Sequence, residues 1–87
     1  MGRGRLQKQE VDILRANPNV CDVNTRRIKY TTDFKLYFVA EYKKGKKPTE
    51  IFKAAGFDPL ILGSKRIERA SSRWRESDRA GTLGLYD

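Results

Sequence analysis

Histidine is absent from this sequence of 87 residues, and cysteine occurs once, as Cys21. Without histidine the chain lacks the commonest general base and the commonest zinc ligand of proteins. A single cysteine cannot form an internal disulfide, which favours a reducing compartment such as the cytoplasm. No apolar run approaches the ~18 residues of a membrane span, and the N-terminus lacks the apolar stretch of a signal peptide. We therefore expect a cytoplasmic protein without a membrane partner.

A catalytic site is also not readable from the sequence. The 11 aspartates and glutamates form no spaced set beside a candidate nucleophile, and no histidine is present to activate one. We interpret Cys21 as a half-buried small hydrophobic residue rather than a reactive thiol. We therefore predict that the protein is not an enzyme, has no catalytic residues and holds no metal and no cofactor.

Positive charge is what the sequence has in excess. Its 19 lysines and arginines outnumber 11 acidic residues, which gives a formal net charge of +8. The basic residues occur in clusters, and such clusters usually meet a polyanion. The alternative is a solvated basic surface that serves solubility. The clusters are Arg3 and Arg5; Arg26, Arg27 and Lys29; Lys43, Lys44, Lys46 and Lys47; and Lys65, Arg66, Arg69, Arg73 and Arg75.

The spacing of apolar residues predicts a small, mainly α-helical domain. A short helix is expected over residues 8–16, and a short β-hairpin between residues 20 and 30. Three principal helices follow near residues 32–44, 48–55 and 64–76. We assign a single domain to residues 8–76, between a flexible N-terminus of residues 1–7 and a flexible C-terminal tail of residues 77–87.

Each predicted helix carries an apolar face. In the helix near 32–44 this face is a stripe of aromatic residues at spacings of three and four, which leaves Leu36, Val39 and Ala40 outside it. We expect Trp74 to be buried against Phe34, Phe38, Ile51 or Phe52. The predicted apolar faces are Val11, Ile13 and Leu14 over 8–16; Phe34, Tyr37, Phe38 and Tyr42 over 32–44; Ile51, Phe52 and Ala55 over 48–55; and Ile67, Ala70, Ser71 and Trp74 over 64–76.

The helix predicted over 64–76 carries its positive charge on one side. At about 100° per residue, Lys65, Arg66, Arg69 and Arg73 fall opposite the apolar face. Like charges at i, i+4 disfavour a helix by about 0.2–0.5 kcal/mol per pair, and phosphates would relieve this repulsion. The helix follows a short helix and a glycine-marked turn, the order used by helix-turn-helix DNA readers. A solvated helix face is the alternative interpretation.

Three segments carry a family resemblance: Tyr30-Thr-Thr-Asp-Phe-Lys, Tyr42-Lys-Lys-Gly-Lys-Lys-Pro-Thr-Glu-Ile-Phe-Lys-Ala-Ala-Gly-Phe and Arg73-Trp-Arg. They resemble the small helix-turn-helix proteins of bacterial insertion-sequence transposons. In that family an aromatic-rich helix starts after Phe-Lys, a Gly-x-x-Pro link leads to the first motif helix, and the recognition helix finishes in Trp-Arg. The resemblance covers about residues 30–76. It implies a DNA-binding transposon subunit of the bacterial nucleoid, with the cutting residues in another chain.

Two features depart from the family pattern. The segment between Ala55 and Ser64 is longer than the usual turn of about three or four residues. Residues 58–62 must therefore form an extra helical turn if the motif is to close. Lys47 also occupies the helix-start position where a serine or threonine cap would be expected.

The expected partner is double-stranded DNA, together with a separate catalytic transposase subunit. Two other interpretations stay open. One is a protein-interaction module that forms a homodimer through Leu36, Val39 and Ala40. The other is binding of structured RNA by base stacking on Tyr30, Tyr37, Tyr42 and Trp74, although most of these aromatic residues sit at the spacing of a helical core. Arginine suits base reading in the major groove, whereas lysines on a linker suit phosphates. The predicted DNA-binding residues are Lys65, Arg66, Arg69, Ser72 and Arg73 on the last helix, and Lys46 and Lys47 before the motif.

Overall fold

The structure is a computed structural model that describes residues 5–83, and within them five helices accompany one antiparallel hairpin. This confirms the predicted mainly α-helical fold, including the extra helical turn before the last helix. The elements are α1 (Lys8–Arg15), β1 (Val20–Val23), β2 (Ile28–Tyr30), α2 (Thr32–Lys43), α3 (Pro48–Ala54), α4 (Pro59–Leu62) and α5 (Ser64–Ala80).

The helix boundaries follow from local signals in the sequence. The Thr31 hydroxyl caps α2 by accepting a hydrogen bond from the Phe34 amide at 3.1 Å. At the end of α3, Gly56 adopts a φ of +92°, a conformation that suits glycine. The Gly56 amide then donates to the Lys53 carbonyl and the Phe57 amide to the Phe52 carbonyl, both at 3.0 Å. This pair of bonds is the Schellman motif, and it folds the buried Phe57 back onto the core.

The hairpin contains an irregularity at Cys21 that decides which side chains face the core. Val20 pairs with Tyr30, whereas Asp22 pairs with Lys29, so Cys21 is an extra residue in β1. The extra residue lets Val20 and Val23 both pack on the core although they are an odd number of positions apart. It leaves Cys21 exposed, so the expectation that this residue is half-buried is wrong.

An aromatic core joins the hairpin to the helices, and Trp74 lies at its centre. Trp74 is only 3% exposed, which confirms its predicted burial. Its ring centroid lies 5.3 Å from that of Phe38, 5.7 Å from that of Phe34 and 5.9 Å from that of Phe52. Tyr30 from the hairpin comes closer still, at 5.1 Å in an edge-to-face arrangement, which is a favoured geometry for aromatic pairs.

The buried face of α2 is rotated from the predicted stripe. Tyr37, which was expected to face the core, is 41% exposed, and Tyr42 is half-buried. Val39, expected to lie outside the stripe, is buried. At about 100° per residue, the buried residues cover an arc of roughly 160° that runs toward Val39 and away from Tyr37. The arc is wide because α2 packs against both α3 and α5.

The N-terminal helix departs from its prediction at one residue. Val11 and Leu14 are buried, but Ile13 is 56% exposed, so its assignment to the apolar face is wrong. At about 100° per residue, Ile13 lies roughly 200° around the helix from Val11. The side-chain amides of Asn17 and Asn19 connect this part of the chain to α3 by donating to the Ala55 carbonyl at 3.2 and 3.1 Å.

The two ends of the domain extend beyond the predicted boundaries. Helix α5 continues past residue 76 to Ala80, and Gly81 with a φ of +75° follows it. Ion pairs between Lys43 and Asp78 at 2.9 Å and between Arg79 and Glu76 at 3.4 Å lie along this last part. Leu6 is buried ahead of α1. Of the segments predicted to be flexible, residues 1–4 and 84–87 lie outside the described residues.

Candidate nucleic-acid interface

Helix α5 separates apolar from basic residues as its sequence predicts. Ile67, Ala70, Ser71 and Trp74 are all buried, and α5 contacts α2, α3 and α4 through this side. Glycine at position 63 joins α4 to α5 with a φ of +81° and supplies no side-chain cap. The helix is therefore held by its packing, and its opposite side faces solvent. That side carries Lys65, Arg69, Ser72 and Arg73, which are exposed, and Arg66, which is half-buried.

Three arginines of α5 meet two arginines of the hairpin across one cleft. The cleft has a volume of about 200 Å³, and no acidic residue lines it. We call this group the arginine cleft. Arginine stays protonated throughout the physiological pH range, so the five positive charges persist. The cleft is lined by Arg26, Arg27, Arg66, Arg69 and Arg73, with Ile28, Tyr30 and Ala70 beneath them.

The turn of the hairpin is fixed by hydrogen bonds that do not use the side chains of Arg26 and Arg27. The Asn24 carboxamide oxygen accepts from both of their backbone amides, at 2.8 and 3.0 Å. The backbone amide of Asn24 donates to the Arg27 carbonyl at 3.0 Å, and the backbone amide of Leu6 donates to the Thr25 carbonyl at 2.7 Å. Across the cleft, Arg66 Nη1 donates a long hydrogen bond of 3.5 Å to the Arg26 carbonyl. The turn is thus attached to α5 while its two guanidiniums stay outside these bonds.

Tyr30 forms part of the cleft floor, and its environment alters its acidity. Burial raises the pKa of Tyr30 to about 12, while the charges of Arg66 and Arg73 lower it in part. The hydroxyl is therefore neutral at physiological pH. The arginine cleft accordingly has cationic walls above an uncharged aromatic floor.

The lysines between α2 and α3 have a different environment. We call Lys43, Lys44, Lys46 and Lys47 the lysine cluster. Glu41 binds the ammonium groups of Lys46 at 2.7 Å and Lys44 at 3.0 Å, and these two hydrogen bonds lower the pKa of its carboxyl. The same contact with Glu41 raises the pKa of Lys46. Lys43 pairs with Asp78. Two carboxylates thus pair with three of the four ammonium groups.

Lys47 differs from its neighbours because its backbone starts helix α3. Its amide donates to Glu50 Oε1 at 3.4 Å, which is the bond that the glutamate of a capping box makes. The lysine side chain has no acceptor for the second bond, which a serine or threonine hydroxyl would accept. Lys47 is exposed. The structure brings Arg66, Arg69 and Arg73 together in the arginine cleft. The other four predicted residues do not line it: Lys65 and Ser72 on α5, and Lys46 and Lys47 before α3.

Arg75 belongs to the same sequence cluster as the cleft arginines but has structural contacts. Its Nε donates to the Ser71 carbonyl and hydroxyl, both at 3.2 Å. Its guanidinium lies 4.7 Å from the centre of the Tyr42 ring and donates to the Tyr42 hydroxyl at 3.2 Å. Arg75 therefore connects α5 to α2, and we do not count it among the candidate binding residues.

Arg26 and Arg27 are the residues of this surface that the sequence analysis did not assign to the site. They stood out as a basic cluster, but nothing local indicated that the hairpin turn lies beside α5. Arg26 and Arg66 are 40 positions apart in the chain. A pair of basic residues in a predicted β-turn was the only available signal.

Within residues 5–83, no group of three histidine, cysteine, aspartate or glutamate side chains is arranged to hold a metal ion. In the same part of the chain, no helix combines the length and the apolar character needed to cross a bilayer.

The fold is that of a small, mainly α-helical helix-turn-helix domain. The comparison with protein families agrees: residues 1–87 match the family described as "Transposon related HTH domain protein". The chain belongs to this family, which confirms the predicted resemblance and indicates DNA binding in a transposase context. Comparisons with curated proteins and with solved structures gave no significant match.

Proposed function

We propose that this protein binds double-stranded DNA with α5 as its recognition helix. The observation that carries the proposal is the arrangement of Arg66, Arg69 and Arg73 on the exposed side of a helix whose other side is buried. No carboxylate lines the cleft that they share. A DNA duplex supplies the closely spaced negative charges that such a surface lacks.

Each candidate residue has a role that suits its chemistry. Arg66, Arg69 and Arg73 enter the major groove, where arginine makes two hydrogen bonds to guanine or grips a phosphate. Lys65 and Ser72 flank them and contact the sugar-phosphate backbone. Lys46 and Lys47 hold phosphates as point charges beside the motif.

The biological role that fits best is the DNA-binding component of a transposase or of a related regulator. In this proposal the reaction on DNA is performed by a separate catalytic subunit, and this chain supplies the positioning. The protein then acts in the bacterial cytoplasm, associated with the nucleoid, and needs no cofactor. Family membership supports this role.

The direct test is a titration of labelled protein with random-sequence duplex DNA at two salt concentrations, followed by amide chemical shifts. We expect the largest shifts in α5, and weaker binding at the higher salt concentration. With four to six phosphate contacts, log affinity plotted against log salt should have a slope of about −4 to −5. A slope near zero would contradict the proposal, as would tighter binding of a duplex RNA of the same sequence.

A second candidate function is homodimer formation through α2. Leu36 is 48% exposed, Tyr37 is 41% exposed and Ala40 is also exposed, so α2 presents apolar surface to solvent. Val39 does not contribute to it because it is buried. Sedimentation at several concentrations tests this candidate: a dimer that Leu36→Lys converts to a monomer supports it, and a monomer at all concentrations contradicts it.

A further inference from the structure

We propose that the hairpin turn is a second DNA-contacting element, in which Arg26 and Arg27 hold a backbone phosphate against α5. The proposal rests on the proposed function, because it assumes that α5 meets duplex DNA. The hairpin turn lies outside the helix-turn-helix segment. In this proposal it contacts the sugar-phosphate backbone of the DNA rather than the bases.

The first argument is the shape and charge of the arginine cleft. Its walls come from two separate elements, the hairpin turn and α5, and all five of its charged residues are arginines. Guanidinium groups bind phosphate with two parallel hydrogen bonds, so this residue type fits a phosphate particularly well. Their mutual repulsion is unfavourable in the free protein, and an anion between the walls would remove it.

The second argument is that Arg26 and Arg27 have no structural task for their side chains. The turn is closed by Asn24 and by backbone groups. In the part of the chain that the structure describes, neither guanidinium takes part in an ion pair or a hydrogen bond, and both residues are exposed. Two adjacent arginines on a hairpin tip therefore remain available to an external partner.

The third argument is that the turn is held in place before any partner binds. Arg66 donates to the Arg26 carbonyl, and the Leu6 amide donates to the Thr25 carbonyl from the other direction. A contact that is already positioned costs less conformational entropy on binding than a mobile one. The hairpin turn and α5 therefore approach DNA as one surface, with a strand's phosphates between them.

Phosphate contacts and base contacts differ in how they affect DNA affinity and its salt dependence. Phosphate contacts strengthen binding to every sequence alike, and each contributes about 0.9 to the salt slope. Loss of the Arg26 and Arg27 contacts should therefore make the slope less negative by about one to two, while the preference for a selected site over a scrambled one stays unchanged.

The experiment compares the double variant R26Q/R27Q with a control of the same charge, K43Q/R79Q, in the full chain. The control removes two positive charges close to the far end of α5, where Arg79 lies about 20 Å along the helix from Arg66. Affinities for a selected duplex and for a scrambled duplex are measured by fluorescence anisotropy at several salt concentrations. Thermal unfolding of each variant checks that the fold is retained.

We expect R26Q/R27Q to lower both affinities by about tenfold or more at low salt and to reduce the slope, and the control to change them much less. Equal effects of the two variants would overturn the proposal, because net charge alone would then explain the loss. Loss of preference for the selected site in R26Q/R27Q would also overturn it. If the unmodified protein fails to bind either duplex, the proposed function itself is wrong; if it binds and R26Q/R27Q binds equally well, only the role of the hairpin is wrong.

Discussion

The arginine cleft and the lysine cluster are both dense in positive charge, but they differ in their acidic neighbours. Glu41 and Asp78 form ion pairs with three of the lysines, whereas no acidic residue lines the arginine cleft. The lysines also lie where α2 ends: Gly45 and Lys46 donate backbone bonds to the Tyr42 and Glu41 carbonyls. Positive charge at a helix C-terminus is favourable in itself. One basic cluster is therefore paired with carboxylates at a helix end, whereas the other has no acidic residue in its lining.

The comparison depends first on Trp74, which holds α5 in place. We expect Trp74→Ala to destabilise the domain by about 3–5 kcal/mol, because it removes a large side chain from the centre of the core. Equilibrium unfolding in urea measures the effect. Trp74→Phe is the matched control and should cost less, since among the described residues the indole N–H has no hydrogen-bond partner to lose. A Trp74→Ala protein as stable as the parent would show that the buried side of α5 is wrongly assigned.

The burial of Tyr30 in the floor of the arginine cleft can be tested by the pH dependence of stability. The pKa of Tyr30 is about 12 in the folded protein and 10.0 in its unperturbed state, so folding favours the neutral hydroxyl. The contribution of Tyr30 to the free energy of unfolding is fully present below pH ~10 and is lost as the pH rises through ~12. The difference between the two pKa values corresponds to about 2–3 kcal/mol. Urea unfolding over this pH range measures the loss.

Tyr30→Phe is the control for this alkaline loss, because lysines also titrate in the same range. The variant lacks the ionisable hydroxyl, so its stability should fall less steeply with pH than that of the parent. Identical slopes in parent and variant would mean that Tyr30 is not buried in solution as it is in the structure.

Arg69 tests whether α5 reads DNA sequence. We expect Arg69→Ala to reduce the difference in binding free energy between a selected duplex and a scrambled one by about 1–3 kcal/mol. A base-contacting arginine supplies this much discrimination. Arg79→Ala is the control: Arg79 lies on the same helix, is exposed and pairs with Glu76. It should leave this difference unchanged. If the control reduces the difference and Arg69→Ala does not, the groove-facing part of α5 lies at its other end.

The lysine cluster should show the smallest effect on DNA binding. Changing Lys46 and Lys47 together to glutamine should weaken binding to both duplexes alike and make the salt slope less negative by about one. The effect should be smaller than that of R26Q/R27Q, because Lys46 already has Glu41 as a partner. Competition binding at several salt concentrations measures both affinities and the slope. Loss of sequence preference in the lysine variant would reverse the roles that we assign to the two groups.

Local signals in the sequence were sufficient to predict most of the elements. The Thr31 cap, the glycine after α3 and the spacing of Ile67, Ala70 and Trp74 each act within a few residues, so periodicity and turn chemistry detect them. The rotation of α2 was not predictable in this way. Whether Tyr37 or Val39 is buried depends on where α3 and α5 lie against α2, and a single helix does not contain that information.

The candidate site was predictable to the same extent. The basic side of α5 follows from its own sequence, and the structure brings Arg66, Arg69 and Arg73 to one cleft. Two features required the tertiary fold. The contact of Glu41 with Lys46 depends on how the chain turns at Gly45, and the position of Arg26 beside α5 joins residues 40 positions apart.

The central place of Trp74 has a consequence for synthesis of the chain on the ribosome. Tyr30, Phe34, Phe38 and Phe52, which all contact Trp74, are translated before it. A nascent chain that ends before residue 74 therefore exposes these rings and is prone to aggregate or to engage chaperones. The same truncated chain lacks a complete α5, the helix that carries Arg66, Arg69 and Arg73. Closure of the aromatic core therefore requires Trp74, the last of these five rings to be translated.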